Sequence, residues 1–292
     1  MKLKEKVGFI GYGNMGSVII DNILLLDLIE NRNIIISNRN LSKLNNIKEN
    51  YPEISITSDN SYLASISDKI FIFVEPQQMK NVMIDISQNL TENKHIIHIC
   101  AGLKFKDIDI RNELKITQVI PTIVSKIHKS EYDSMENNKT GVSLIIHNEN
   151  TTIHDKKFVE NLFNEFSHVK NIKNENNEFE IGTILTSCGP AFIGLLLSKI
   201  AIISSNKSSL AVEDIQDMIL KTLSATTSYL SYAIENSEDT ENNKNKNINS
   251  SAYDLMSKIA TKKGITQEGI DYLDPRIEEI VDDLSNKLLK RF

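Results

Sequence analysis

The chain has 292 residues, 40% hydrophobic and 25% charged, which is the balance of a globular protein with a substantial core; at about 150 residues per domain it has room for two. Its 33 basic and 39 acidic residues give a net charge of −6, which weighs against a general nucleic-acid or anionic-membrane binder, whose affinity needs a basic field. Two cysteines, Cys100 and Cys188, cannot build a disulfide scaffold, and no stretch carries the ~18 uninterrupted apolar residues of a membrane span, so a cytoplasmic protein is expected.

The first half alternates short β-branched runs with longer helical stretches. Strands are expected at 6–10, 33–37, 54–57, 69–74, 95–100, 116–120 and 141–147, with helices in stretches such as 15–26, 41–50 and 77–90. This alternation implies an α/β fold, a doubly wound parallel sheet with helices on both faces. Residues 69–74 are nearly continuous in apolar character, as a central strand covered on both sides should be. Beyond residue 172 the pattern becomes helical: 178–204 is long and apolar, interrupted only by Gly189-Pro190, and 211–234 and 252–261 follow. Asp274-Pro275 is expected to open a last helix, because a proline at the first helical position lacks only an N–H that has no partner there. The expected domains are therefore 1–172, Rossmann-type, and 173–292, all-helical. Residues 235–251 are almost wholly polar; they bury too little to offset ordering entropy and read as a flexible insertion.

The sharpest local signal is Gly11-Tyr12-Gly13-Asn14-Met15-Gly16, placed directly after a strand and at the opening of a helix. Gly11 permits the tight turn, Gly13 lets the backbone approach a pyrophosphate, and Gly16 lets helix and strand pack closely. The helix N-terminus then favours the phosphates. The next strand ends in Ser37-Asn38-Arg39-Asn40 and carries no carboxylate for a ribose hydroxyl. Arg39 can instead pair with a 2′-phosphate, with Ser37 and Asn38 adding polar contacts, so NADPH is the expected cofactor, with NADH possible.

These motifs, together with Val74-Glu75-Pro76-Gln77, Cys100-Ala101-Gly102, Val119-Ile120-Pro121, Ser187-Cys188-Gly189-Pro190-Ala191-Phe192 and the segment from Ile259 to Leu273, occur in the order found in pyrroline-5-carboxylate reductases. The resemblance spans nearly the whole chain, and the C-terminal motifs look closest to the branch of late competence protein ComER. It implies reduction of the cyclic imino acid 1-pyrroline-5-carboxylate to L-proline by NAD(P)H, in a dimer or higher assembly formed through the C-terminal helices. It also places Asn60 near the adenine ribose, Val74, Pro76 and Gln77 at the nicotinamide ribose, and Ala101 and Gly102 after the next strand. In the second domain it places Thr261, where the family has a serine, with Gly264, Ile265 and Thr266 around the substrate carboxylate. The residues agree: Gly264, Ile265 and Thr266 precede a helical run expected from Gln267, so their N–H groups are open to an anion and the Thr266 hydroxyl adds a donor; Thr266 equally fits a plain N-cap.

The chain also departs from the family. A lysine before the proline is replaced by Glu75, an asparagine by Thr122, and the first of two glycines by Lys263. These departures leave open a reductase of another imine or keto substrate, or a ComER-like protein that binds a nucleotide with weak or no activity. No metal site is expected: His95 and His98 fall on opposite strand faces, and His128, His147, His154 and His168 lack ligand spacing and read as surface residues. Cys188 reads as a small residue near the cofactor and Lys199 as a helix-surface lysine, since no asparagine follows it four residues on.

Overall fold

The computed structural model describes residues 3–109, 113–122, 139–235 and 248–292. His128 and most of the polar insertion expected at 235–251 lie outside the described residues. One eight-stranded sheet runs β3-β2-β1-β4-β5-β6-β7-β8. Its strands are β1 (Val7–Ile10), β2 (Ile34–Ser37), β3 (Ser55–Thr57), β4 (Lys69–Ile72), β5 (His95–His98), β6 (Lys115–Pro121), β7 (Val142–His147) and β8 (His168–Asn171). All neighbours are parallel except β6 and β7.

Burial on both faces explains the near-continuous apolar character of β1 and β4, and β5 between His95 and His98 is likewise buried at every residue. On one face Phe9, Phe71, Phe73 and Ile97 pack with Ile19 and Ile23 of helix α1 (Asn14–Leu25) and with Phe158, Val159, Leu162 and Phe163 of the helix Ile153–Asn164. On the other, Ile10, Ile70, Ile72 and Ile96 pack with Leu63 of the helix Asn60–Ile66 and with Met79, Val82 and Ile86 of the helix Pro76–Ile86. The strand order reverses between β1 and β4, whose carboxyl ends flank the crevice where such sheets take ligands.

Lys69 is a lysine inside this core. It is buried because it pairs with the equally buried Asp155, with Lys115 3.4 Å from the second carboxylate oxygen. A further polar string runs from His95 Nε2 to Thr117 Oγ1 (2.7 Å), on to His147 Nδ1 (2.7 Å), and from His147 Nε2 to Glu160 (3.3 Å). His147 is therefore a half-buried sheet residue and not the surface residue expected. Burial pushes the pKa values of His95 and His98 down to about 3 and lowers that of His147.

Two compact units are present, Met1–Pro190 with Leu288–Phe292, and Ala191–Lys287. The first extends past the junction read at residue 172 because the helix Asn177–Thr183 sets Phe179 against Ile120, Leu144 and Ile146 of the sheet. In the second unit the helices Val212–Glu235 and Ile248–Ile259 are tied by Lys258, which donates to the Tyr229 hydroxyl (3.0 Å) and lies over its ring. The last helix, Ile265–Leu289, starts earlier than expected and runs straight through Pro275. Pro275 is thus interior and does not open a helix. By length and composition alone the run Asn177–Ser205 is long and apolar enough to cross a membrane, a feature the interrupting Gly-Pro pair masked in the sequence.

Candidate functional site

The glycine-rich loop is held by the sheet. The Gly11 N–H donates to Ser37 O (2.8 Å) and the Phe73 N–H to Ile10 O (2.8 Å), which joins the ends of β1, β2 and β4. Gly11 has φ +102, and a methyl there would overlap the carbonyl oxygen of Phe73. A methyl on Gly16 would stand 2.6 Å from Gly11 O, so α1 can approach the loop only without one. Gly13 differs: it is the N-cap of α1 and contributes no side-chain cap, and a Cβ added there meets nothing within 4 Å. The first-turn N–H groups of α1 have no intrahelical acceptors and open into a cleft of about 810 Å³ that Gly11, Tyr12, Gly13, Asn14, Met15 and Gly16 all line.

Tyr12 fixes this loop from both ends. Its N–H donates to Asn38 Oδ1 (3.2 Å) and its hydroxyl to Asp21 Oδ1 (2.7 Å). Burial and the Asp21 carboxylate hold the phenol well above its usual range, so it stays protonated. At the end of β2, Ser37, Asn38 and Arg39 line the same cleft, and so does Lys43, which the sequence reading missed. Arg39 and Lys43 are exposed, and neither forms an ion pair among the described residues. Asn60 lines it as well: Ser37 Oγ donates to Asn60 Oδ1 (2.7 Å) and Asn60 Nδ2 donates to Asp85 Oδ2 (2.9 Å).

Farther along the cleft come Val74, Glu75, Gln78 and Ile99. Pro76 and Gln77 begin the helix Pro76–Ile86 but do not line the cleft; nor do Ala101 and Gly102, which form an exposed turn after β5. Cys100 donates to Val74 O (3.1 Å), and burial pushes its thiol up to about 12, far from a reactive thiolate. Thr122 is buried at the end of β6, where its N–H donates to Val142 O (3.2 Å). Cys188 is half-buried in a π-helical turn, Ile184–Cys188. Among the described residues no group of three or more His, Cys, Asp or Glu could hold a metal.

In the helical unit Gly264 N donates to Thr261 O (2.8 Å), and the first intrahelical bond runs from Glu268 N to Gly264 O (3.1 Å). The N–H groups of Ile265, Thr266 and Gln267 are thus the open ones, and Thr266 is the second helical residue and not an N-cap. Lys263 has φ +65, the left-handed conformation that favours glycine, and a methyl on Gly264 would overlap the Thr261 hydroxyl.

Residues 6–102 match the family model described as NADP oxidoreductase, coenzyme F420-dependent. The chain is 38% identical over 272 residues to the pyrroline-5-carboxylate reductase of Methanobrevibacter smithii, covering 92% of this chain and 97% of that one. It is 24% identical over 275 residues to ComE operon protein 4 of Bacillus subtilis, covering 94% and 90%. Among solved structures, the pyrroline carboxylate reductase of Plasmodium falciparum with NADP bound shares the fold, with a TM-score of 0.77 at 23% identity, over 98% of this chain and 96% of that one.

Proposed function

Because the chain belongs to the pyrroline-5-carboxylate reductase family, we propose that it reduces a cyclic imino acid with NADPH, and first of all 1-pyrroline-5-carboxylate to L-proline. The observation that carries the cofactor half is the open first turn of α1, where Gly13 leaves its N–H groups uncovered. A diphosphate fits such a donor set, and the cations of Arg39 and Lys43 fit a 2′-phosphate at the end of β2. When bound, the nicotinamide supplies the hydride. The chain's own task is to bind and orient: Gly11 to Gly16 seat the diphosphate, Asn60 reaches the adenine ribose, and Val74 lines the far end of the cleft. In the helical unit the open N–H groups of Ile265 and Thr266, with the hydroxyls of Thr261 and Thr266, hold the substrate carboxylate.

The helical unit supports self-association as part of this reading. Its long helices leave Leu195 (60% exposed), Leu196 (59%) and Ile280 (64%) uncovered, and only Ala201, Ile215 and Ser251 are buried among its described residues. Apolar faces of that extent suit a dimer or larger assembly, and we assign the exposed apolar side chains of Gly189–Ser205 to that role in a cytoplasmic protein and not to a membrane.

The test is to incubate the purified protein with NADPH and 1-pyrroline-5-carboxylate, following NADPH loss and proline formation together. Proline formed one for one with NADPH consumed supports the assignment. Tight NADPH binding without turnover of this or other cyclic imines would overturn it in favour of a ComER-like nucleotide-binding protein.

A further inference from the structure

We propose that Asp85, acting through Asn60 on Ser37, sets the hydrogen-bond polarity at the end of β2 and so tunes the choice between a ribose hydroxyl and a 2′-phosphate. The proposal rests on the reading of this cleft as the NADPH site. Three side chains from separate elements meet here: Ser37 closes β2, Asn60 opens the helix Asn60–Ile66, and Asp85 stands near the end of the helix Pro76–Ile86. All three line the cleft.

The direction of the chain is dictated by its far end. A carboxylate only accepts hydrogen bonds, so the atom of Asn60 that faces Asp85 Oδ2 at 2.9 Å is its NH2 nitrogen. The amide oxygen therefore faces Ser37, and the 2.7 Å contact between them is made by the serine proton. Ser37 has one proton and has given it away; what remains towards the cleft is lone pairs.

That leaves Ser37 an uncharged acceptor at the strand position where dinucleotide sites commonly place a carboxylate to receive a ribose hydroxyl. A 2′-phosphate offers only acceptor oxygens and gains nothing from Ser37 so arranged. It depends instead on Arg39 and Lys43. The relay thus keeps an NADH-compatible acceptor inside a site whose cations favour NADPH. Without the Asp85 carboxylate the Asn60 amide is free to turn over, to donate to Ser37 and to release the serine proton for a phosphate oxygen. Asp85 is a positioning residue: its effect passes through Ser37.

ADP-ribose and 2′-phospho-ADP-ribose, titrated by calorimetry against the full chain, separate the two modes without any turnover. Asp85→Asn should weaken ADP-ribose about three- to tenfold, the worth of one hydrogen bond, and leave 2′-phospho-ADP-ribose unchanged or tighter. Asp85→Ala should give the same shift. In a Ser37→Ala background neither substitution should alter the ratio of the two affinities, which is the signature of coupling through one residue. A ratio that shifts equally with and without Ser37 would show Asp85 acting by charge alone and would overturn the relay, as would an unchanged ratio in Asp85→Asn. A wild-type chain that binds neither ligand would overturn the cofactor assignment itself, a result distinct from both.

Discussion

Gly13 and Gly11 sit two residues apart in one loop, yet alanine at each should fail for different reasons. Gly13 has φ −96 and ψ −162, an extended conformation open to any residue, and an added Cβ meets no atom within 4 Å. Alanine there restricts the unfolded chain, worth about 0.4–1 kcal/mol of stability, and is a poorer N-cap than glycine by a few tenths to about 1 kcal/mol. The two nearly cancel, so the melting temperature should hardly move. The methyl stands instead in the cleft over the first-turn N–H groups, where a diphosphate has to approach. Losing one or two hydrogen bonds to a charged acceptor, at about 1.5–3 kcal/mol each, lowers NADPH affinity at least about tenfold. Gly11→Ala inverts the pattern. Its φ of +102 strains any side chain, and the methyl overlaps the Phe73 carbonyl, so β1 and β4 must shift and the melting temperature must fall. Thermal melts paired with fluorescence titration of NADPH measure both quantities. A Gly13→Ala protein that binds NADPH as tightly as wild type would refute the placement of the diphosphate on α1.

Removing either exposed cation at the end of β2 should separate the cofactors. Arg39→Ala and Lys43→Ala should each weaken NADPH about tenfold and NADH less than about twofold; equal losses for both cofactors in a binding titration would exclude the 2′-phosphate contact. Lys263→Gly should raise stability by about 1 kcal/mol, because φ +65 strains lysine and suits glycine; a lower urea midpoint would show that the lysine side chain contributes more than its backbone loses. Acid should destabilise the sheet through His95 and His98, whose folded pKa values of about 3 lie below the unfolded value. Below about pH 6.5 the unfolded chain binds protons that the folded chain refuses, so the stability present above that pH is lost as pH falls towards about 3. At about 1.4 kcal/mol per pH unit for each histidine, the two together remove about 4 kcal/mol by pH 5; an unchanged urea midpoint between pH 7.5 and about pH 5 would show that the rings are not buried as described.

What the sequence made legible is what burial on two faces forces. β1 and β4 read as largely apolar runs because every residue in them is buried. β8 was missed because it lies at the sheet edge with His168, Lys170 and Asn171 exposed and only Val169 half-buried, which leaves no periodic signal. Lys69 gives no hint of its environment in sequence, since its partner Asp155 arrives from a helix that follows β7. In the cleft, Arg39 was legible from a carboxylate missing at the end of β2. Lys43 was within reach of the same reasoning, for it stands four residues on, in a helical turn, Leu41–Leu44, that returns it to the cleft. Asp85 was not legible: nothing in the spacing of residues 76–86 says that one carboxylate on that helix meets the asparagine that begins another.

The run Asn177–Ser205 shows how one misleading signal divides into two physical roles. Pro190 has no N–H for the carbonyl of Thr186, and a continuous α-helix would press its ring against that carbonyl. The π-helical turn Ile184–Cys188 lies immediately before it and widens the backbone where the ordinary bond is missing, so the helix continues instead of breaking. The change of compact unit falls at this same proline. Before it, Phe179 and Ile184 are buried in the first unit; beyond it, the apolar side chains of Leu195 and Leu196 stand uncovered. The first part of the run sets Phe179 against the sheet, but Leu185 (67% exposed) is already uncovered, so the open apolar surface begins before Gly189 and continues through Ser205. A surface of this kind suits a helix packed against another protein subunit, in keeping with the self-association proposed above.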